Sequence, residues 1–183
     1  WCYRTEPDPG INGRRLDWPR GKVLGGSSSL NGLLYVRGLP QDYDRWRQMG
    51  NVGWGWEDVL PLFKRSEHQE RGPDEYQGVD GPLSVSNMRL QRPICDAWVA
   101  AAQTAGYLFN ADYNGATQEG VGYFQLTTRN GRRCSSAVAF LNPAKSRENL
   151  NIVTRAAVSQ VLFDGMRATG VAYRDRSGNR HVV

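Results

Sequence analysis

Apolar and polar positions along this chain alternate in short bursts punctuated by glycine and proline, not in long periodic runs. Tyr43, Trp46 and Met49 recur at helical spacing across residues 42–49 and predict a short helix. A second helix is expected over Glu57–Glu67, where Val59, Leu60 and Phe63 pack together and Pro61 is tolerable only in the first turn. The clearest helical pattern runs from Pro93 to Ala105. There Ile94, Ala97, Trp98, Ala101 and Ala105 share one face, Pro93 opens the helix and Gly106 stops it. Strands are expected at Leu83-Ser84-Val85 and over 121–128, and a short helix over Ser135–Leu141.

The last third reads as sheet. Asn151–Thr154, Val158–Phe163 and 167–173 alternate, Asp164-Gly165 joins the last two as a hairpin, and Ser177-Gly178-Asn179 turns the chain into Arg180–Val183. The first 20 residues carry Pro7, Pro9, Gly10, Gly13 and Pro19 and read as an irregular extended arm. Residues 68–82 are polar and Gly-rich, a candidate domain junction.

Composition narrows the class. The 183 residues are 39% hydrophobic and 22% charged, with 21 Gly, 9 Pro and 6 Trp, which describes a folded, loop-rich protein and not a disordered one. No apolar run approaches the roughly 20 residues of a membrane-spanning helix. The chain opens on Trp1 without a legible leader and closes in a strand with no downstream partner, so a segment of a longer protein is expected.

The net charge of +5 invites a nucleic-acid reading, but the basic residues are interleaved with acids and cluster no further than the pairs Arg14-Arg15 and Arg132-Arg133. Nucleic acid is therefore not an expected partner. Cys2, Cys95 and Cys134 are odd in number and widely spaced, so neither a zinc site nor a disulfide framework is expected. Small buried thiols in a reducing compartment, the cytoplasm, are expected instead.

Histidine is informative by scarcity. His68 lies in a solvated Glu/Gln context and His181 near the last residue, so neither suits a Ser-His-Asp site. The acidic pairs Asp42/Asp44 and Glu57/Asp58 read as helix N-terminal residues more readily than as acid–base pairs. Trp54-Gly55-Trp56 reads as packing at a helix entry, and Asp112–Gly120 as a turn-rich loop that could line a polar pocket. For Arg132-Arg133-Cys134-Ser135-Ser136, anion contact at a helix start and simple capping are both open.

The strongest chemical signal is Gly25-Gly26-Ser27-Ser28-Ser29. Paired glycines permit positive φ and close backbone approach, successive N–H groups can form a nest for anionic oxygens, and the hydroxyls add neutral donors. A flexible Gly-Ser linker is the competing use of such a composition. Flanking by Leu24, Leu30, Leu33, Leu34 and Val36 favours a packed turn. Neither a P-loop nor G-x-G-x-x-G is present.

The run from Arg20 through Gly25-Gly26-Ser27 to Asn31-Gly32, ending in Tyr35-Val36-Arg37-Gly38, resembles the first signature of the glucose–methanol–choline (GMC) flavin oxidoreductases. The likeness continues in order through Asp42–Trp46, Gly53–Trp56, Gly81-Pro82-Leu83, Asn114-Gly115, Gln118-Glu119-Gly120, Gly131-Arg132-Arg133 and Arg147–Leu150. It covers essentially the whole chain and is strongest toward choline-dehydrogenase-like members.

The resemblance implies a mixed α/β fold: part of a Rossmann-like FAD-binding domain (1–80), the first part of a sheet-based substrate domain (81–147), and a return to the FAD domain (148–183). It implies FAD against Val23, Gly25, Gly26, Ser27, Asn31, Gly32, Leu33 and Leu34, and adenine near the backbone of Val158. Some relatives carry a flavin-linking His where Leu30 stands, so noncovalent FAD is implied. The family's G-x-G-x-x-G is expected before Trp1 and its active-site His, with a His or Asn partner, after Val183, so this chain is assigned no catalytic residue and no metal ligand. Hydride transfer from a small alcohol to the flavin is the implied reaction, with oxygen or a quinone-type acceptor, and this segment by itself is expected to be inactive. The alternative is a non-catalytic remnant or partner-binding module of the same fold.

Overall fold

Short strands and capped helices are what so punctuated a sequence can form, and the computed structural model, which describes residues Trp1–Val183, shows them in two units, Trp1–Ala144 and Lys145–Val183. In the first unit, β1 (Cys2–Arg4) pairs antiparallel with β2 (Asp17–Pro19), and Arg4 Nε meets Asp17 Oδ1 at 2.6 Å. The expected irregular arm is therefore a strand pair. Its proline is tolerated because Pro19 ends an edge strand.

Helix α1 (Pro40–Gln48) begins two residues before its apolar rhythm, since Pro40 suits the first turn and the Asp42 carboxylate accepts from Leu39 N–H at 2.9 Å. Helix α2 (Trp56–Ser66) starts the same way, with Asp58 accepting from Gly55 N–H at 3.0 Å and Asp44 accepting from Trp56 N–H at 3.0 Å. Three of the four acidic residues thus serve helix starts.

Pro61 lies in the second turn of α2, not the first as anticipated. The helix survives the missing N–H because its inner face is anchored. Val59 is buried, and Trp56 and Phe63 close around Tyr43 of α1 with ring centroids 5.7 Å away. Trp56 packs at the helix entry as expected, while Trp54 stays exposed.

Four chain segments then form a small sheet. Strand β3 (Glu67–Gln69) runs parallel to β4 (Leu83–Val85), Ser86 bridges Leu126, and Leu126 bridges Leu34. The anticipated strand over 121–128 is reduced to bridges at Val121 and Leu126 before β5 (Thr128–Arg129), which pairs with β6 (Arg132–Arg133). Residues in between have no continuous partner, and alternation without a neighbouring edge does not make a strand.

Helix α3 (Pro93–Thr104) has the predicted limits but not the predicted burial. Ile94 is 73% and Trp98 67% exposed, whereas Val99 and Ala102 are half-buried. Periodicity defines an apolar face without defining what covers it. The expected helix over Ser135–Leu141 is a wide-turn helix, Ala137–Leu141, continued by one turn at Asn142–Ala144. Of the cysteines only Cys134 is buried, so the expectation of buried thiols fails for Cys2 and Cys95.

The centre of this unit is polar. Arg37 is 5% and Glu67 0% exposed, and Arg37 Nη2 donates to Glu67 Oε2 at 2.6 Å. Arg37 Nη1 donates to Tyr76 O at 2.7 Å, and its guanidinium lies 5.3 Å from the Phe63 ring centroid. Glu67 also accepts from Gly78 N–H, and Gln69 and Gln125 exchange reciprocal amide bonds of 2.9 and 2.8 Å. The Arg37 backbone is held too: its N–H donates to Asn114 Oδ1 at 2.7 Å and its carbonyl accepts from Gln118 at 2.8 Å. Burial pushes the Glu67 carboxyl above the ordinary range, while Arg37 and the Gly78 N–H pull it back.

In the second unit, β7 (Ala157–Asp164), β8 (Arg167–Arg174) and β9 (Arg180–Val182) form an antiparallel meander. The Asp164-Gly165 hairpin is present, with Gly165 at φ +56°, and Asp175 organises the second turn by accepting from Ser177 and Asn179 N–H. The expected strand at Asn151–Thr154 is absent, since no edge pairs with it.

Removing one member of a buried ion pair leaves the other charge uncompensated. Arg37→Met should therefore lower unfolding free energy in urea titration by about 3–5 kcal/mol, and Arg37→Met/Glu67→Met should recover most of that loss.

Candidate functional site

The Gly-Ser segment folds into a packed turn. Gly25 and Gly26 adopt φ +90° and +53°, and residues Gly26–Ser29 form a single tight helical turn. Those values need glycine: a Cβ on Gly25 would lie 2.5 Å from Ser29 Oγ and 3.2 Å from Ala137 Cβ. Gly21 closes the turn from outside, where a Cβ would sit 2.1 Å from Gly26 O. The linker reading is thereby excluded.

Hydrogen bonding gives the turn a polarity. Leu24 O accepts from Ser29 Oγ at 3.0 Å, and Gly25 O accepts from Ser28 Oγ at 2.5 Å and from Ser136 Oγ at 3.2 Å. Ser27 O takes the N–H groups of Leu30 and Asn31, and Ser28 O takes Arg133 Nη1 at 3.0 Å. The N–H groups of Gly25, Ser27 and Gly32, by contrast, donate to no protein group. Several carbonyls are neutralised within the protein while these three amides are left free, an arrangement that favours an anionic oxygen.

The Ser28 and Ser29 hydroxyls, anticipated as ligand donors, are therefore spent inside the turn. Ser27 Oγ accepts from Gly21 N–H at 3.2 Å, which leaves its own proton available.

Downstream, Asn31 Oδ1 accepts from Leu33 N–H at 3.2 Å and from Arg133 Nη1 at 2.6 Å. Leu33 sits at φ +70°, a strained value for a branched side chain. It is held there from both sides, since Leu33 O accepts from Thr127 N–H at 2.8 Å as well as from the Thr127 hydroxyl. Val23, Ser27, Asn31, Gly32 and Leu34 are exposed, while Gly25, Gly26 and Leu33 are half-buried, so these eight residues form one continuous, accessible segment. Val158 belongs to the second unit, on β7 opposite Tyr173, with its side chain exposed.

Residues 132–136, for which anion contact and capping were both open, brace the turn instead through Arg133 and Ser136. Nothing in the local pattern marks them for this, because their partners lie more than 100 residues away. The Asp112–Gly120 loop is turn-rich as expected, but its buried Asn114 and its Gln118 serve the Arg37 backbone. A recess of about 520 Å³ lined by His68, Ser84, Ser86, Arg89, Thr128 and Arg129 includes none of the anticipated cofactor residues. Its arginines are engaged, Arg89 with Glu70 at 2.5 Å and Arg129 with Pro82 O at 2.6 Å.

The sequence pattern that describes GMC oxidoreductases matches residues 8–183. The chain belongs to the GMC oxidoreductase family. Its relatives include the mitochondrial choline dehydrogenase of Mus musculus, 47% identical over 181 residues that make up 99% of this chain and 30% of that protein. The alcohol dehydrogenase [acceptor] of Pseudomonas putida is 44% identical over 183 residues, 100% of this chain and 33% of its own.

Among solved structures, pyridoxine 4-oxidase from Mesorbium loti superposes with a TM-score of 0.90 at 33% identity, covering 100% of this GMC chain and 36% of the other. The FAD-dependent oxidoreductase from Chaetomium thermophilum gives 0.87 at 28% identity, with 99% and 34% coverage. This GMC chain thus spans about a third of the length of the curated relatives it matches. The mixed α/β fold read from the sequence is the fold these relatives share.

The two glycines that close the turn differ in what a methyl group would meet. Gly26→Ala enters open space and should cost about 1–2 kcal/mol for its left-handed φ alone. Gly21→Ala drives a Cβ into backbone and should cost more. Equal stabilities of the two variants in urea titration would contradict this account of the turn.

Proposed function

We propose that this chain is part of a FAD-dependent oxidoreductase that oxidises the CH–OH group of a small alcohol, choline or another primary alcohol. The observation that carries the reading is the turn at Gly25–Asn31, with bound carbonyls and the free amides of Gly25 and Ser27, in a chain matched end to end by choline dehydrogenases. The residues fit the cofactor. A Cβ on Gly26 or on Gly32 would meet nothing within 4 Å, so the chain is open beside these glycines, and the free N–H groups of Gly25, Ser27 and Gly32 suit a pyrophosphate.

In this reading Gly25 and Ser27 hold the phosphates through their free backbone amides. Gly26, whose N–H donates to Val23 O, lets the phosphates approach closely, with Val23 beside them. Asn31, Gly32, Leu33 and Leu34 follow the flavin edge, and the Val158 backbone serves the adenine. Leu30 offers no nucleophile, so the cofactor is held noncovalently. Bound FAD supplies a hydride acceptor. The chain's own contribution is to orient it: the strained Leu33 and the Arg133-fixed Asn31 define where the ring edge lies, without reorganisation at the moment of reaction.

Residues 1–80 and 148–183 would belong to the FAD-binding domain and 81–147 to the substrate domain. The proton acceptor would be a histidine outside residues 1–183, so this segment by itself is inactive, and reduced flavin would pass its electrons to oxygen or a quinone-type acceptor. No helix is long and apolar enough to cross a membrane, and the three unpaired cysteines accord with a cytoplasmic setting.

The full-length protein carrying this chain should take up FAD, show flavin absorption, and bleach anaerobically when choline or a comparable primary alcohol is added. A folded full-length protein that stays colourless with FAD present, or a flavoprotein that no alcohol reduces, would overturn the proposal.

A further inference from the structure

We infer that Arg133 is the positioning residue of the cofactor turn: its forked guanidinium fixes the Asn31 side chain so that the amide NH₂, not the carbonyl, faces the flavin. The inference rests on the proposed binding of FAD along Gly25–Leu34.

Arg133 closes three contacts onto a segment more than 100 residues away. Nη1 donates to Ser28 O at 3.0 Å and to Asn31 Oδ1 at 2.6 Å, and Nη2 donates to Asn31 O at 2.8 Å. A lysine could supply the charge but not this planar pair of donors. Three residues on, Ser136 repeats the pattern. Its N–H donates to Ser28 Oγ at 2.9 Å and its hydroxyl reaches Gly25 O at 3.2 Å. Ser135, between them, is buried, and its hydroxyl accepts from Val138 N–H, so the bracing residues sit on a fixed helix start.

The consequence for Asn31 is chemical. An asparagine side chain offers a carbonyl acceptor on one side and two N–H donors on the other. Here Oδ1 is occupied twice, by Arg133 Nη1 and by Leu33 N–H, while Nδ2 donates to no protein group. The exposed Asn31 therefore presents donors only. Donors suit a flavin edge, whose N1, N5 and carbonyl oxygens accept hydrogen bonds and gain negative charge on reduction. Without Arg133 the amide is free to flip, and Ser28 O and Asn31 O lose the donors that hold the turn in place. Arg133 touches neither cofactor nor substrate in this account; it acts through Asn31 and Ser28.

The test uses the full-length protein, with FAD titrated into the apoprotein, and compares wild type with Arg133→Gln, Arg133→Lys and Asn31→Asp. Arg133→Gln should weaken FAD binding at least tenfold, equivalent to about 1.4 kcal/mol, with an apoprotein melting temperature close to wild type. Arg133→Lys should recover less than half of that loss on the logarithmic scale, because the fork is what matters. Asn31→Asp keeps both acceptor contacts but replaces the donor with a charge, and should move the flavin reduction potential to more negative values.

Wild-type affinity and an unchanged flavin spectrum in Arg133→Gln would overturn the inference, as would full rescue by lysine. A wild-type protein that binds no FAD would instead overturn the functional reading on which it rests.

Discussion

The buried pairing of Arg37 with Glu67 is the constraint on which the rest of the first unit depends. A guanidinium removed from water needs partners close by. Arg37 Nη2 finds its carboxylate because α2 ends at Ser66 and delivers Glu67 into the centre on β3, while the buried Nε is left without a partner. The same requirement fixes the return of Tyr76–Gly78 and the loop carrying Asn114 and Gln118, which satisfy Arg37 Nη1 and its backbone. Three separate stretches of chain are thereby pinned to one residue, which stands three positions after Leu34 in the candidate cofactor segment. A polar centre of this kind is costly to assemble and intolerant of partial assembly, so it specifies one arrangement more sharply than a greasy core of the same size would.

The candidate cofactor turn is held by its own, separate set of contacts. Sequence-local forces shape its first half, where two glycines at positive φ allow the tight turn and the Ser28 and Ser29 hydroxyls fold back on its carbonyls. Distant residues shape its second half. Thr127 holds Leu33 at a strained φ, and Arg133 and Ser136 hold Asn31, Ser28 and Gly25. The strain is sustained because it is over-determined from both sides. The outcome is a segment in which the Ser28 and Asn31 carbonyls are bound within the protein and the Gly25, Ser27 and Gly32 amides are free, an electrostatic asymmetry set before any ligand arrives.

Much of this was legible in the residues. The limits of α3, the hairpin at Asp164-Gly165, the helix-starting roles of Asp42 and Asp58, and the importance of Gly25-Gly26 follow from short-range rules of capping, turn formation and periodicity. The failures share one cause. Asn151–Thr154 alternates without a partner edge, β1 and β2 pair across a loop too proline-rich to advertise it, and the apolar face of α3 through Ile94 and Trp98 has nothing against it in this unit. Glu67 drew no notice because a glutamate at the end of a helix looks like a surface residue.

The sequence by itself determined the family, the mixed α/β class and the packed turn at Gly25-Gly26 proposed to meet a cofactor, since glycine spacing and hydroxyl placement act over a few residues and can be read in order. Only the tertiary structure decided which groups of that segment are free. Hydrogen-bond partners are assigned in space, and those that consume the carbonyls of Ser28 and Asn31 come from Arg133, more than 100 residues along the chain. Whether a serine hydroxyl serves a ligand or the fold, and which end of an asparagine faces outward, are questions of what lies within 3 Å, and linear order does not contain that distance.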